Sequence, residues 1–473
     1  MFLRRFPTRR TGSTLTHRVS SVCHVLILLL SGMSIAAVDQ SGSGNLVGKH
    51  RPLPERSLTV VPSNGRRDSQ QEALAVYRSA GHMANPKIKQ TIAMMEAFAA
   101  RTGLTGDRHP RRYLWTDAFA VCNFLGLTQT TGEQRYLDLA LRLIDQVHHT
   151  LGRHRDDDPR TGWLSGLNQR DGESHPTRGG LRVGKPLPER GPGEPFDPRL
   201  EWERDGQYFH YLTKWMHALD QVSRSTGEPQ FNTWARELAA AAGDAFIHHP
   251  STVNALQMYW KMSIDLTRSL VSSMGQHDPL DGFVTMSQLR ATAEELPRPG
   301  IGPELEPIVS QFASMLEVAE FASPDPLGIG GLLVDAYRIE QLMRRGIMLD
   351  EALLERLLMA ALAGLRVYAR SGELQAPAGY RLAFREFGLA IGLHAIERMH
   401  QNVLQGPMVL NPTARAQLKA VMSHVPLADQ IEAFWGHPKH QEASTWLEHR
   451  DINEVMLATS LLPDGFLVLM PPD

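Results

Sequence analysis

Cysteine and aromatic residues are scarce in this chain of 473 residues. Only two cysteines, Cys23 and Cys122, are present, and aromatic residues make up 7% of the sequence. Two cysteines cannot build a disulfide framework, and a processed chain that lost Cys23 would hold no intrachain disulfide at all. Cys122 lies in an apolar stretch with no activating partner nearby, so we expect a small buried core residue.

An excess of charge of one sign and long apolar runs are lacking as well. The formal net charge is −2 at pH 7, which gives no basic footprint for a nucleic-acid partner. No apolar run approaches the roughly 20 residues of a membrane-spanning helix, which excludes a polytopic membrane protein. The sequence contains no phosphate loop, dinucleotide fingerprint, nucleophile elbow or paired zinc motif, so we expect neither a metal nor a cofactor. Hydrophobic residues at 42% and charged residues at 21% are typical of a globular protein.

The first 37 residues have the pattern of a secretory signal peptide. Five arginines and no acid precede an apolar run, Val25 to Leu30, which ends in the small residues Ser34, Ala36 and Ala37. We therefore predict a secreted or periplasmic protein, with an uncleaved anchor or a misassigned start codon as the alternatives. Loss of residues 1–37 would leave 44 basic and 51 acidic residues, a net charge of −7. Residues 38–80 are rich in Gly, Ser, Pro and Arg and are interpreted as a flexible spacer.

From about residue 85 the apolar pattern is helical, and residues 81–473 are predicted to form one all-α domain. Most of the candidate helices are bounded by Gly or Pro, and no run of alternating β-branched residues separates them. The predicted helices are Pro86–Thr102, Arg111–Gly126, Gly132–Thr150, Glu203–Thr226, Pro229–His248, Leu256–Met274, Gly282–Glu295, Pro303–Ala322, Pro326–Arg345, Leu349–Arg370, Gly379–Gln401, Thr413–His424 and Arg450–Leu462.

Two kinds of helix alternate in this array. The segment Gly132–Thr150 is amphipathic, whereas Arg111–Gly126 has only Asp117 and Asn123 as strongly polar interior residues and should be covered nearly all round. Alternation of covered and amphipathic helices is what a double-layered helical ring requires, with about twelve helices closing around an axis. A superhelical solenoid of helix pairs gives a similar pattern, but it usually shows a fixed short repeat, and none is present.

A long insertion, Gly152–Pro198, interrupts the helices. It has nine Gly and seven Pro over 47 residues and no periodic apolar face. A loop of this length inside a compact domain is usually functional or disordered, and a plain solvent-exposed excursion is the alternative. Its aromatic and basic residues include Trp163, His175, Arg178 and Lys185, which we predict to form a wall at one end of the ring.

Two segments, Arg112 to Phe119 (RYLWTDAF) and Asp205 to Tyr211 (DGQYFHY), together with the helix count, resemble the six-hairpin glycosidase superfamily. The resemblance implies an all-α (α/α)6 toroid whose inner helices begin with aromatic and acidic residues at the mouth of a central cavity. Members of that superfamily include glycoside hydrolases, and similar toroids serve sugar epimerases and polysaccharide lyases. Because a fold does not determine a function, the site residues need their own analysis.

Glycoside hydrolysis needs two carboxyl groups across a sugar site, one protonated and one ionised. Asp117 is the first candidate, because burial in an apolar helix raises a carboxyl pKa; a buried ion pair or a helix cap is the alternative. Asp205 is a second candidate, with an N-cap as the alternative. The turn His277-Asp278-Pro279-Leu280-Asp281 supplies two further acids, although the same composition describes an ordinary turn. Glu203 and Glu386 complete the acidic candidates.

The remaining candidates are basic or aromatic. His210 and His394 are potential bases for an epimerase, each with a solvated or core role as the alternative. Arg381 and Arg385, one helical turn apart, are candidates for binding the carboxylate of an acidic sugar, with a surface ion-pair face as the alternative. The aromatic and polar residues proposed to bind substrate are Trp115, Trp163, His175 and Tyr208.

These observations favour an exported carbohydrate-active enzyme, most simply a glycoside hydrolase with paired carboxylates in the toroid cavity. A sugar epimerase or polysaccharide lyase using His and Tyr bases is the second hypothesis. A toroid that binds a glycan or a protein without catalysis is the third. The low aromatic content counts mildly against the hydrolase, since sugar faces usually stack on Trp and Tyr.

Overall fold

A computed structural model describes residues 85–250, 255–296, 298, 300–348, 350–406 and 410–470. The predicted signal peptide (1–37) and spacer (38–80) lie outside the described residues and stay predictions. Within the described ranges, none of the helices combines the length and apolarity needed to cross a membrane.

Helices dominate the described part of the chain, which also contains five short strands in two places. The helices are α1 (Pro86–Arg101), α2 (Leu114–Thr131), α3 (Gln134–Leu151), α4 (Gln169–Ser174), α5 (Pro198–Glu203), α6 (Phe209–Thr226), α7 (Pro229–Phe246), α8 (Asp278–Glu295), α9 (Glu306–Leu316), α10 (Pro326–Arg344), α11 (Glu351–Tyr368), α12 (Ala383–Gln405), α13 (Pro412–Met422), α14 (Pro426–Gly436), α15 (Pro438–Gln441), α16 (Ser444–Leu447), α17 (Arg450–Leu461) and α18 (Asp464–Leu467). The strands are β1 (Gln207–Tyr208), β2 (Ile247–His248), β3 (Gln257–Met258), β4 (Lys261–Met262) and β5 (Ser269–Val271).

Six helices form a closed inner ring. Helix α2 packs on α6, α6 on α8, α8 on α10, α10 on α12, α12 on α17, and α17 returns to α2. Each inner helix also packs against an outer helix, α3, α7, α9, α11, α14 and α1 respectively. The fold is therefore an all-α (α/α)6 toroid, which confirms the predicted fold class and excludes the open solenoid.

The two layers follow from the two kinds of sequence. In α2 every residue from Leu114 to Leu127 is buried, because its neighbours cover it on all sides. Helix α3 buries a single stripe, including Tyr136, Leu143 and Val147, and shows its other face to solvent. Cys122 is a buried free thiol in α2, as the sequence predicts.

Glycines allow α10 and α12 to approach each other closely. A Cβ at Gly330 would lie 2.0 Å from the carbonyl oxygen of Gly388, and a Cβ at Gly392 would lie 2.6 Å from that of Gly330. Backbone contact at this distance requires residues without side chains.

The helix predicted over Leu256–Met274 is wrong. This segment contains β3, β4 and β5, and β4 pairs antiparallel with β1, with Gln207 opposite Met262 and Tyr208 opposite Lys261. A tight turn at Ser263 to Arg268, with Leu266 at φ 60°, reverses the chain and prevents a continuous helix. The three-stranded sheet holds Trp260 and the segment before α6 at one end of the ring.

The insertion 152–198 is ordered by pairs of arginine and acid rather than by a core of its own. Arg155 and Arg182 both contact the Asp205 carboxylate, at 3.3 and 2.9 Å, and Arg160 contacts Asp265 at 2.6 Å. These contacts join the insertion to the segment before β1 and to the hairpin of β4 and β5. The insertion thereby becomes a fixed rim.

Candidate active site

A cavity of about 270 Å³ lies on the axis of the toroid and receives side chains from all six inner helices. Its wall is partly aromatic and partly acidic. The residues used below are Trp115 of α2, Trp202 of α5, His210, Tyr211 and Lys214 of α6, Trp260 between β3 and β4, Asp278 and Asp281 of α8, Gly331 and Asp335 of α10, and Phe384 and Arg385 of α12.

Asp281, in the first turn of α8, is a fully partnered carboxylate. Its Oδ2 accepts hydrogen bonds from Thr213 Oγ1 at 2.5 Å and Lys214 Nζ at 2.7 Å. The Arg338 guanidinium lies 3.7 Å from Oδ1. Burial alone would raise the pKa of Asp281, but the charges of Lys214 and Arg338 and the two hydrogen bonds hold it below its usual value. This carboxyl is therefore ionised at neutral pH.

Asp278, one turn earlier on the same helix, has the opposite surroundings. Its Oδ2 is buried and has no hydrogen-bond partner among the described residues, and its Oδ1 lies 3.9 Å from His210 Nδ1. Burial, followed by the negative charge of Asp281, raises the pKa of Asp278 to about 7. Asp278 is thus a carboxyl that holds a proton near neutral pH, beside one that does not.

A third acid, Asp335 of α10, contributes to the same wall. It pairs with Arg338 at 3.2 Å, while burial and the charge of Asp281 raise its pKa to about 6. Arg385 also lines the cavity, but its guanidinium is held by Asp325 at 2.5 Å. Arg385 is therefore neutralised by the protein itself, which leaves it less free to bind the carboxylate of a sugar.

Aromatic rings form another part of the wall. Trp202 and Trp260 lie with their ring centroids 5.2 Å apart, and the imidazole of His210 stacks on Trp260 at 6.1 Å with an interplanar angle of 17°. Trp115 packs on Tyr211 at 5.3 Å. Burial and the neighbouring Lys214 lower the pKa of His210 to about 4, so the imidazole is neutral.

Several buried polar atoms around the cavity have no hydrogen-bond partner within the described part of the chain. They are Trp115 Nε1, Trp202 Nε1, Asp278 Oδ2, Tyr208 Oη and His449 Nδ1. Buried polar groups are normally paired with protein atoms or ordered water, so these atoms are available for hydrogen bonds to a molecule in the cavity. Tyr208 and His449 stand just behind the wall, against His210 and Phe384.

The candidate residues of the sequence divide into two sets. The structure brings Trp115, His210, Asp281, Asp278 and Arg385 to the cavity wall. Tyr208 packs directly behind that wall, against Trp202, His210 and Tyr211.

Asp117 and Asp205 lie elsewhere and have structural partners. Asp117 accepts a hydrogen bond from the Tyr113 backbone N–H at 2.9 Å and pairs with Arg112 at 3.3 Å. Burial raises its pKa to about 6, as the sequence predicts, but its carboxyl is not part of the cavity wall. Asp205 accepts N–H bonds from Gly184 and Gly206 besides its two arginines, so it anchors the insertion.

The other candidates also form contacts away from the cavity. Trp163 packs beneath Arg153 in the insertion, and His175 pairs with Glu237 at 2.7 Å. Arg381 pairs with Glu386 at 2.5 Å, and His394 pairs with Glu432 at 2.8 Å. Glu203 lies in α5 and is not among the lining residues. Of the insertion and the segment that follows it, the structure brings Trp202 and His210 to the cavity wall, but not Trp163 or His175.

Several lining residues escape the sequence analysis. Lys214 is not among the sequence candidates, although its position four residues after His210 places both side chains on one helix face. Trp260 was placed in a helix that does not exist. The sequence around Asp325 and Asp335 shows only an acidic residue among apolar ones, which does not indicate a place at the cavity. Among the described residues no group of three or more His, Cys, Asp and Glu side chains is arranged to hold a metal ion.

Comparisons with known proteins give remote structural matches. No family profile and no curated protein sequence matches this chain. A family 76 glycoside hydrolase α-mannanase from Bacteroides thetaiotaomicron matches over 80% of this chain and 97% of its own, with 10% identity and a TM-score of 0.47. A family 76 glycoside hydrolase from a bovine strain of that organism matches over 81% and 78%, with 11% identity and a TM-score of 0.47. A cellobiose 2-epimerase from Spirochaeta thermophila matches over 73% and 86%, with 11% identity and a TM-score of 0.39.

Proposed function

We propose that this protein is an exported glycoside hydrolase that cleaves its substrate in the central cavity, with Asp278 and Asp281 as the catalytic carboxyl pair. The observation that carries the proposal is the unequal setting of these two acids. Asp281 is held by Lys214 and Thr213, whereas Asp278 Oδ2 is buried without a partner among the described residues. A pair of carboxyls with pKa values driven apart is the arrangement that assigns an acid and a base.

In this proposal Asp278 is the general acid. It donates its proton to the glycosidic oxygen as the bond to the anomeric carbon breaks, which lets the leaving sugar depart as a neutral alcohol. Asp281, kept ionised by Lys214, faces the positive charge that develops on the ring and either activates water or bonds to the anomeric carbon. Water supplies the hydroxyl group of the new reducing end. If Asp281 activates this water directly, Asp281 takes its proton, and exchange with solvent restores both carboxyl groups; if Asp281 bonds to the anomeric carbon, the ionised Asp278 takes the proton when water displaces Asp281.

The rest of the wall suits a sugar. Trp202 and Trp260 offer apolar faces for the C–H surfaces of a pyranose ring. The unpaired N–H groups of Trp115 and Trp202 are donors for its hydroxyl oxygens. Although aromatic residues are scarce in the chain, Trp115, Trp202, Tyr211 and Trp260 all line this cavity.

The test measures the release of reducing ends from a panel of α- and β-linked oligosaccharides. Asp278→Asn and Asp281→Asn should each lower kcat by about 10²- to 10⁴-fold, since each loses one proton transfer or charge contact in the transition state. Asp156→Asn is the matched control, because that carboxyl is exposed in the insertion and should leave kcat unchanged. Wild-type activity that survives both substitutions would remove the pair from the mechanism.

A sugar epimerase is the second candidate, favoured by the imidazoles of His210 and His277 on one cavity wall. The pair expected from the sequence, His210 with His394, is not brought together, since His394 contacts Glu432. An epimerase would move one proton between the faces of a carbon beside a carbonyl group without cleaving a bond to oxygen. Conversion of a disaccharide to its epimer, with no new reducing end and with loss of the reaction in His210→Gln, would favour it over the hydrolase.

A binding protein without catalysis is the third possibility. In that case the wild-type protein would bind a sugar saturably but would release no product from any oligosaccharide of the panel. Export is tested separately by expressing the full chain and sequencing the N-terminus of the processed protein. A mature protein that begins near residue 38 in the medium or periplasm supports export, and an unprocessed cytoplasmic chain contradicts it.

A further inference from the structure

Lys185, in the insertion, is a mostly buried residue whose ammonium group lies among aromatic rings. Its residue exposure is 6%. Its Nζ lies 5.4 Å from the ring centroid of Tyr113 and 5.4 Å from that of Trp202. Two ring faces at this distance attract a cation, but they supply no hydrogen-bond acceptor.

No carboxylate neutralises this ammonium. Among the described residues no acid lies within ion-pair distance of Lys185 Nζ, and the group donates no hydrogen bond to them. The other lysines near the cavity are paired: Lys214 lies 2.7 Å from Asp281, and Lys261 lies 2.8 Å from Glu201. Because no side chain of the described residues uses its donors, the Lys185 ammonium is available to bind an anionic group from outside the chain.

His449, the residue before α17, is a second buried polar group at this place. Its Nδ1 is buried without a hydrogen-bond partner in the described part of the structure. Burial, followed by the nearby charge of Lys185, lowers the pKa of His449 to about 4, so its ring is neutral. Its ring packs 5.7 Å from that of Phe384, which lines the cavity. A neutral imidazole with one N–H can add a hydrogen bond to an anion already held by Lys185.

This polar spot adjoins the cavity. Trp202 borders both the Lys185 ammonium and the cavity wall. Tyr211, also on the wall, shares a 2.7 Å hydrogen bond with the Tyr113 hydroxyl beneath the ammonium. A substituent that projects past Trp202 from a sugar in the cavity would therefore reach Lys185.

We propose that Lys185, with His449 beside it, binds an anionic substituent, a carboxylate or a sulfate ester, on the carbohydrate that occupies the cavity. The proposal rests on the proposed function and names its substrate class. From the sequence we expected Arg381 and Arg385 to bind an acidic sugar, but Glu386 and Asp325 already neutralise these two guanidinium groups. In the present proposal Lys185 binds the acidic group instead.

Binding is measured by titration calorimetry on the full chain carrying Asp278→Asn, so that turnover is prevented and binding is separated from catalysis. The first probe pair is tetragalacturonic acid and its methyl ester, which differ only in the carboxylate charge. The second pair is a κ-carrageenan tetrasaccharide and its desulfated form. We expect the anionic member of one pair to bind about 10- to 100-fold more tightly than its neutral partner, as a charge-assisted hydrogen bond provides, and the responding pair identifies the anion.

Lys185→Met keeps the apolar stem and removes the charge, so it should abolish this preference while the affinity for the neutral probe stays unchanged. Lys89→Met, at an exposed lysine of α1, is the matched control and should keep the preference. Lys185→Gln serves as a second variant, and a melting temperature at or above that of the parent confirms that each variant is folded.

Equal binding of anionic and neutral probes by the parent chain, binding of neither, or a Lys185→Met variant that weakens both probes equally would overturn the proposal. Because reducing-end release is assayed on the Asp278-containing enzyme, these outcomes leave the hydrolase proposal to its own test. Conversely, a charge preference lost in Lys185→Met supports the anion site even if no hydrolysis is found.

Discussion

Replacement of Asp278 by Asn is expected to stabilise the protein in alkaline solution, although it removes the proposed catalytic acid. The buried carboxyl has a pKa of about 7 in the folded chain, against an ordinary value of 3.8. The folded state therefore binds the proton more tightly than the unfolded chain does. Ionisation of Asp278 is favoured by unfolding, and this group destabilises the fold as the pH rises from about 4 to about 7.

The magnitude follows from the difference of about 3 pH units between the two pKa values. At 1.36 kcal/mol per unit, the ionisable carboxyl costs roughly 4 kcal/mol at pH 8, where the folded group has lost its proton. At pH 5 the Asp278 carboxyl is ionised only in the unfolded chain, and it lowers the free energy of unfolding by roughly 1.5 kcal/mol. Asn has nearly the same shape and no charge to desolvate, so its substitution should recover most of this free energy.

Thermal unfolding at several pH values is the assay. About 390 residues follow residue 84, which implies an unfolding entropy near 0.8 kcal/mol/K, so 4 kcal/mol corresponds to about 5 °C in Tm. We expect Asp278→Asn to raise Tm by about 5 °C at pH 8 and by about 2 °C at pH 5. Asp156→Asn, at an exposed carboxyl, should leave Tm unchanged at both.

The reasoning would be refuted by a difference in Tm between Asp278→Asn and wild type that does not grow with pH. A variant less stable than wild type at pH 8 would show that the ionised carboxylate has a stabilising partner in the folded chain. The combination expected here, a gain in stability with a loss of turnover, is the usual sign of a residue kept for function rather than for folding.

Further outcomes follow from the same site. If Asp278 is the acid, kcat should fall as the pH rises through about 7, because the group must hold its proton; a flat profile from pH 5 to 9 would contradict this role. Asp117→Asn should keep kcat/KM within about threefold of wild type, because the group lies outside the cavity and the amide still accepts the Tyr113 N–H; kinetics on folded protein decide this. A Cβ at Gly331 or at Gly436 meets no atom within 4 Å, and of the two only Gly331 lines the cavity. Gly331→Leu should therefore lower kcat/KM by about 10- to 200-fold, because its side chain occupies space in the cavity. Gly436→Leu is the control and should leave kcat/KM unchanged. Asp205→Asn should destabilise the fold by about 3–5 kcal/mol and speed tryptic cleavage within residues 152–198, because the buried carboxylate that holds Arg155 and Arg182 loses its charge. An unchanged Tm and cleavage rate would show that the insertion is held by other contacts.

The fold was largely predictable because its periodicity is local. Helix α2 is apolar on all sides and α3 is amphipathic, and this contrast is visible in the eighteen residues of each helix. It directly predicts an inner and an outer layer. The hairpin at Leu256–Met274 was missed because its strands are two or three residues long. Strands this short are defined by a pairing with β1, about 50 residues earlier in the chain, and not by their own pattern.

The site was predictable only in part, for a geometric reason. The sequence correctly indicates that Asp117 is buried with a raised pKa, but burial does not tell on which side of a covered helix a carboxyl lies. Its partner Arg112 is five residues away, and their contact depends on how the chain enters α2. Asp278 and Asp281 were recognised as an acidic turn, yet the contrast between them comes from Lys214 and Thr213 of another helix. The position of Lys185 depends on how arginine pairs fold the insertion, which no local pattern specifies.

The last inner helix, α17, is covered by the first outer helix, α1, and this pairing has a consequence for how the protein is made. Arg101 of α1 contacts Asp451 at 2.6 Å and Glu454 at 2.7 Å, which joins residues about 350 positions apart. During synthesis α1 leaves the ribosome early and can contact α2 soon afterwards, as where Asn123 donates a hydrogen bond to Met95 Sδ, but its main inner partner α17 follows much later. The part of the apolar face of α1 that α17 covers therefore remains exposed for nearly the whole of translation. At 5–20 residues per second this interval is on the order of 20–70 s, long enough for chaperones to bind the nascent chain.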